Sequence, residues 1–417
     1  MDDIRTGLHA GTVPRSVRPA HLPGLGLPVT LRPVDDARAT QAAVFDPSLK
    51  QHRNAFRAAD PRFTDPGLST AWYAARRHAM DLLLAAVADS PWAGHLVLRG
   101  SVVLRAWYGE AAREPGDLDF VVVQQDWRVE EDHTADLLDG IASAAEAASR
   151  GSVRFRAAEA VSEEIWTYER VPGRRLVLPW HADGVPGGAV QLDFVFNEPL
   201  RVTPEPVHLP ALDGPGARLA AATRELSLAW KLMWLVTDMH PQGKDLYDAL
   251  LLAESTPLRY RVLRDVFADG EAHYAEHPVD ADTITALAAR LAQGRQHFER
   301  EYPQLAAATA DALPRLAAAL APTFAEVDPG QLGPWWTEGW IERLRPVHAD
   351  GGLEAVQAQL VHSGASFRLA HRLTQMLLGA AAPDGTALAE AMLGCPAWSY
   401  WAERVRERQV TVGWLLE

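Results

Sequence analysis

The stretch from Val97 to Phe120 constrains the fold of this chain more than any other. It reads Val97-Leu98-Arg99-Gly100-Ser101, then fifteen residues, then Asp117-Leu118-Asp119-Phe120. Leu96 to Arg99 suits a short strand and Val102 to Tyr108 has helical spacing. Glu114-Pro115-Gly116 is a turn, and Asp117 to Val123 is rich in β-branched residues, so the stretch predicts strand, helix, strand. Residues i and i+2 of a strand share a face, which projects Asp117 and Asp119 together while Leu118 and Phe120 face a core.

The flanking sequence extends this unit. A helix is predicted from Ser69 to Asp89 on Trp72, Ala75, Ala79, Leu82, Leu83 and Ala86, with Ser69 or Thr70 as its cap. An alanine-rich helix near His133 to Arg150 precedes extended segments at Val153–Ala157, Glu164–Val171, Arg175–Trp180 and Ala189–Phe196. The last two flank Asp183-Gly184-Val185-Pro186-Gly187-Gly188, a hairpin composition. From Ala217 onward the chain reads as helical, in pieces broken at Pro241, Pro257, Pro278, Pro303, Pro322, Pro346 and Pro383. Before Ser69 it is punctuated by Pro and Gly with little periodicity, as in Pro23-Gly24-Leu25-Gly26-Leu27-Pro28. The expected domains are an irregular arm over 1–68, an α/β domain over 69–210 and a helical domain over 211–417, a division that 417 residues accommodate. One cysteine, Cys395, excludes a disulfide framework and a thiolate zinc cluster. No apolar run approaches the roughly 18 residues of a membrane span, and Met1-Asp2-Asp3 opens no signal peptide, so a cytoplasmic protein without a membrane partner is expected.

The chemistry concentrates on the acids. Magnesium is commonly bound by one or two carboxylates plus substrate phosphates, so Asp117 and Asp119 suit an ion carrying a nucleoside triphosphate (NTP). Ser101 stands where a strand meets a helix, whose N-terminus offers N–H groups and a positive dipole end to phosphate, and Gly100 lets the backbone come close. Gln191-Leu192-Asp193-Phe194-Val195 repeats the alternation and puts Asp193 on the polar face of the hairpin's second strand. Three acids on neighbouring strands can hold two ions and lower the pKa of an attacking hydroxyl, with Asp193 as the ligand or base nearest the acceptor. Only three of the 40 basic residues are lysine, Lys50, Lys231 and Lys244, and lysine supplies a compact point charge that arginine does not reproduce.

Other chemistries lack their residues. Gly243-Lys244 has no upstream glycine of a Walker loop, there is no Gly-x-Ser-x-Gly elbow, and the 15 histidines include no His-Glu-x-x-His. Asp280-x-Asp282 reads as a helix-start cap, and Trp335, Trp336, Trp340, Trp398 and Trp401 as packing between helices. Residues 69–255 carry 17 basic and 27 acidic side chains, a surface that does not bind long duplex nucleic acid by counterion release. A local patch such as Arg170, Arg174 and Arg175 would still hold an RNA end, while the acidic balance would attract a cationic small molecule such as an aminoglycoside.

Gly-Ser, then Asp-x-Asp, then a lone Asp resembles the DNA polymerase β-like nucleotidyltransferase superfamily, and within it the AbiEii/AbiGii toxin family. The resemblance rests on Gly100-Ser101-Val102-Val103-Leu104, Asp117-Leu118-Asp119-Phe120, Lys231 and Lys244-Asp245-Leu246-Tyr247-Asp248, and covers about 96 to 252. Lys244 stands where arginine is usual and Asp238 at a position often basic. The resemblance implies an α+β fold, a mixed sheet flanked by helices and followed by a mostly helical C-terminal domain. It implies Mg²⁺-dependent transfer of a nucleotide from an NTP, in characterised members to the 3′ end of tRNA, and a cognate antitoxin protein. It also implies that Asp117, Asp119 and Asp193 carry metal, that Lys231 contacts triphosphate and that Asp245 or Asp248 supports the nucleotide site.

Overall fold

Between Gly11 and Leu416 the computed structural model describes all residues except 16, 18, 125, 169–170, 240, 272–273, 275–277, 290, 310, 326–333 and 363–364. The chain forms two compact units, one ending at Pro322 and the other starting at Thr323.

The segment expected as an irregular arm carries four short strands: β1 (Ala39–Thr40), β2 (Ala43–Phe45), β3 (Phe56–Ala58) and β4 (Arg62–Phe63). β1 pairs antiparallel with β4 and β2 with β3. Leu22, Leu25, Leu27 and Leu31 are buried together there, so the prolines and glycines bend the chain around a small apolar cluster of its own. Helix α1 (Pro66–Asp89) follows, starting three residues before the expected Ser69. Asp65, rather than Ser69 or Thr70, is its cap, accepting from the N–H groups of Gly67 and Leu68, and Pro66 suits the first helical position.

The central sheet has eight strands. In chain order they are β5 (Leu96–Arg99), β6 (Asp117–Val122), β7 (Val153–Phe155), β8 (Val161–Tyr168), β9 (Val171–Ala182), β10 (Val185–Val195), β11 (Glu205–Leu209) and β12 (Ala217–Ala221). Their spatial order is β11-β12-β5-β6-β10-β9-β7, with β8 also on β9. β6 and β10 run parallel, as do β12 and β5, and the other pairs are antiparallel. The β9–β10 hairpin turns at Asp183-Gly184, where Gly184 takes φ +80°. Between β5 and β6 lies α2 (Ser101–Tyr108), and after β6 comes α3 (Asp132–Ala148). On one face, Leu98, Phe120, Leu192 and Phe194 join Trp72 and Leu83 of α1 and Leu137 and Ile141 of α3 in the main core, with the rings of Phe120 and Phe194 stacked at 5.5 Å.

Ala217–Ala221 was expected to open the helical region and is instead strand β12. Its alanines favour helix locally, but pairing with the open edge of β5 and with β11 decides its conformation. The helices that follow are α4 (Arg224–Thr237), α5 (Gly243–Ser255), α6 (Tyr260–Gly270), α7 (Ala281–Thr285) and α8 (Ala292–Glu301) in this unit, and α9 (Ala312–Ala325), which contains the division at Pro322. Asp280 caps α7 as expected, in a box with Thr283. Because α4 and α5 belong with the sheet, the division between units falls at Pro322 rather than at 210.

The second unit contains α10 (Pro334–His362), α11 (Phe367–Leu378), α12 (Gly385–Leu393), α13 (Ser399–Arg406) and α14 (Val412–Leu416). Pro322 and Pro346 lie inside α9 and α10 instead of ending them, and the break in α10 is at Gly352, with φ +62°. Trp340 and Trp398 are buried in this unit's core as packing residues. The Trp398 indole N–H donates to Gln357, whose amide donates to Thr374, so the core's polar atoms are satisfied internally. Arg170 and the side chains of Trp335 and Trp336 lie outside the described residues. Among the described residues no helix is long and apolar enough to cross a membrane.

Candidate active site

The strand register builds a single row of charge across the face opposite the main core. Arg99 on β5 is paired with Asp119 on β6, Asp119 with Asp193 on β10, Asp193 with Arg175 on β9, and Arg175 with Glu163 on β8. Directly paired residues point to the same side with Cβ atoms about 5 Å apart, so Asp119 and Asp193 are neighbours at the centre of the row. Asp117 stands two residues along β6 from Asp119, on the same face, opposite Gln191. The three expected acids are thus brought onto one face of two adjacent parallel strands.

Gly100 is fitted against this group. It follows β5 with φ +81°, and a Cβ there would lie 2.2 Å from Asp119 Oδ2. Only glycine meets both demands. The next residue opens α2, and the buried Ser101 hydroxyl lies 3.5 Å from Asp117 Oδ1, at the limit of a hydrogen bond.

The ends of the row are held by opposite charge. Arg175 chelates Asp193, Nε and Nη2 donating to its two oxygens at 2.8 Å each, while Nη1 donates to Asp46 at 2.7 Å and Nη2 to Ser48 at 2.9 Å. Arg99 pairs with Glu198 at 3.2 Å and lies over the rings of Trp230 and Trp234. Asp119 itself has no hydrogen-bond or ion-pair partner among the described residues. Burial first, and then Asp117 and Asp193, push its carboxyl up to about 7 against the pull of Arg99 and Lys231. Burial also raises the Asp193 carboxyl, although Arg175 pulls it down. Asp117 moves the other way: burial raises it, but Lys244, Arg113, Arg57 and Arg175 together hold it below the ordinary carboxylate range.

Lys231, Asp245 and Asp248 come together beside this row. Lys231 Nζ on α4 lies 2.6 Å from Asp245 and 3.1 Å from Asp248 on α5, and Asp248 also takes Arg113 at 3.2 Å. Lys231 is 6% exposed and Asp248 fully buried, so the lysine expected on triphosphate has its charge committed to two carboxylates of its own. Lys244, one residue before Asp245, has no carboxylate at ion-pair distance among the described residues. It lines a cavity of about 130 Å³ with Arg57, Arg113, Asp117, Arg175 and Tyr302.

Asp117 and Asp119 fit a divalent cation on the chemistry of the donor set. They are oxygen donors on one face, and the Asp119 carboxyl, raised first by burial and then by its carboxylate neighbours Asp117 and Asp193, would be stabilised in its charged form by a cation. Asp193 shares their face, with each of its oxygens accepting one N–H from Arg175. Among the described residues no three His, Cys, Asp or Glu side chains are grouped closely enough to hold a metal ion. Arg175, expected in a surface patch, is instead 3% exposed within the row, and Arg174 donates to the Val129 carbonyl and to Ser162. Arg57, Arg99 and Arg113 were not singled out in the sequence. Arg99 alone carried a signal, as the residue ending the strand before Gly100.

The family model described as a nucleotidyl transferase AbiEii toxin of type IV toxin–antitoxin systems matches residues 81–327, more than half of the chain. Among solved structures, the nucleotidyltransferase toxin MenT4 from Mycobacterium tuberculosis H37Rv aligns at 17% identity with a TM-score of 0.33, covering 61% of this chain and 91% of that one. No curated protein matches the chain.

Proposed function

The chain belongs to the AbiEii family of nucleotidyltransferase toxins of type IV toxin–antitoxin systems, and from that premise we propose that it moves a nucleoside monophosphate from an NTP to a hydroxyl of RNA, the 3′ end of tRNA, in a magnesium-dependent step. The observation that carries this reading is the register that sets Asp193 beside Asp119, with Asp117 on the same face and Gly100-Ser101 against them. Asp117 and Asp119 would hold the ion, which when bound supplies charge neutralisation at the triphosphate and polarises its α-phosphate.

Asp193, oriented by Arg175 on both oxygens, is the group that accepts the proton of the acceptor hydroxyl, and burial raises its basicity above that of a free carboxylate. The freed oxygen bonds to the α-phosphorus, the bond from that phosphorus to the bridging oxygen breaks, and pyrophosphate leaves. Ser101 and the first N–H groups of α2 face phosphate from the helix N-terminus. Lys231 acts through position: it holds Asp245 and Asp248 of α5 beside the row and adds positive potential near Asp119.

A polyanionic nucleotide agrees with the cavity beside Asp117, where arginines and Lys244 outnumber carboxylates. An antitoxin protein belongs to the same reading through the toxin–antitoxin family. The test is incubation with Mg²⁺, each α-labelled NTP in turn, and either total tRNA or a panel of aminoglycosides. Label on tRNA is expected; label on an aminoglycoside, or on neither, overturns the acceptor.

A further inference from the structure

We infer that the segment preceding α1 forms one wall of the nucleotide site, and that Arg57 of β3 together with Lys244 of α5 grips the polyphosphate tail of the incoming NTP. The inference rests on the nucleotidyltransferase reading and deepens it, because Arg57 lies outside the matched stretch 81–327.

The cavity beside Asp117 is walled on one side by β3 and the residues after it and on the other by the sheet and α5. Three of the six cations that line it are neutralised by ion pairs, and a fourth, Arg32, donates to the backbone carbonyls of Val29 and Leu31. Arg76 pairs with Asp60 at 2.7 Å, Arg113 with Asp248 at 3.2 Å, and Arg175 with Asp193 and Asp46. Arg57 and Lys244 differ. The carboxylate facing Arg57 is Glu301 at 3.8 Å, near the outer limit for an ion pair, and Lys244 has none within reach among the described residues. Both line the cavity together with Asp117, at its reacting end. Two half-buried cations with unspent charge beside a carboxylate pair suited to a metal match a chain of phosphates, the arginine as a planar fork and the lysine as a point charge.

Arg57 is held in place by bonds between its own segment and the sheet. Asp46, just after β2, bonds Arg175. The backbone N–H of Thr30 donates to Glu163 at 3.0 Å, and His52 meets the same carboxylate at 2.6 Å. β2 and β3 pair over three residues, with Val44 opposite Arg57, so the position of Arg57 is tied to the row that contains Asp193.

The test measures binding of inorganic tripolyphosphate by calorimetry in EDTA, where no metal contributes, and the KM for NTP in the transfer assay. Arg57→Gln and Lys244→Gln should each weaken tripolyphosphate binding about tenfold and raise KM comparably, Arg57→Lys should recover part of the loss, and circular dichroism should be unchanged. Glu301→Gln provides an arm that does not depend on the folding of the Arg57 variants. By releasing Arg57 from its distant carboxylate it should tighten tripolyphosphate binding several-fold. Affinities unchanged in Arg57→Gln and in Glu301→Gln overturn the inference, as does transfer by Arg57→Gln at the parent KM, and both results leave the transferase reading standing. Tripolyphosphate binding that follows the prediction in a protein that transfers nothing upholds the pocket and overturns that reading.

Discussion

Gly100 and Asp119 specify each other. A methyl group at 100 would occupy the space of the Asp119 carboxylate and would itself sit at φ +81°, so Gly100→Ala is expected to cost about 1–3 kcal/mol of stability by urea unfolding. Its transfer rate should fall more than its nucleotide affinity. Asp119 also gives the metal-free protein a pH dependence. A carboxyl raised to about 7 in the folded chain keeps its proton while the unfolded chain, near 3.8, loses it. The folded state then binds more protons, and stability contributed by this group falls as pH rises from about 4 to 7. Asp119→Asn should therefore be more stable than the parent in EDTA at pH 7.5, by up to about 4 kcal/mol at about 1.4 kcal/mol per pKa unit, and no more stable at pH 3.5. Equal melting curves at both pH values would contradict this. The acids were legible in the sequence because a strand's period of two aligns 117 with 119 and exposes 193. Arg175 as the partner of Asp193 was not, because which strands are neighbours, and in what register, is decided by the whole sheet.

Helices α4 and α5 are joined by a buried charge network rather than by apolar contact alone. Lys231, Asp245, Asp248 and Arg113 are each no more than 9% exposed, and removing one member leaves opposite charge uncompensated. Lys231→Ala is expected to lower the unfolding free energy by about 3–5 kcal/mol. A loss below about 1 kcal/mol, with transfer abolished, would instead assign Lys231 to the substrate as the sequence suggested. These helices were legible from their apolar periodicity and the uncommon lysines. Strand β12 was not, since five residues rich in alanine carry no alternation and become a strand only because β5 offers an edge. The hairpin of β9 and β10 was legible because its turn residues announce it.

The candidate site belongs to the first of the two units. Every residue of the acid row, the Lys231 network and the cavity precedes Pro322, and nearly all of the family stretch lies there too. A chain ending at Ala325 is therefore expected to bind tripolyphosphate and NTP with the parent's affinity, measured by calorimetry, and a loss beyond about tenfold would show that the second unit contributes to the nucleotide site. The net charge of −14 gave no hint of a cationic cavity, because a sum over the chain does not report where folding gathers the arginines.

The carboxylates on β6 and β10 are proposed as the centre of nucleotidyl transfer. Transfer of α-labelled nucleotide to total tRNA in Mg²⁺, comparing the parent with Asp119→Asn and Asp193→Asn of unchanged circular dichroism, tests it most directly. Labelled tRNA is expected with the parent, and a loss of at least about a thousandfold in rate with either variant. Transfer retained by Asp119→Asn, or a parent that labels no RNA with any of the four NTPs, would contradict it.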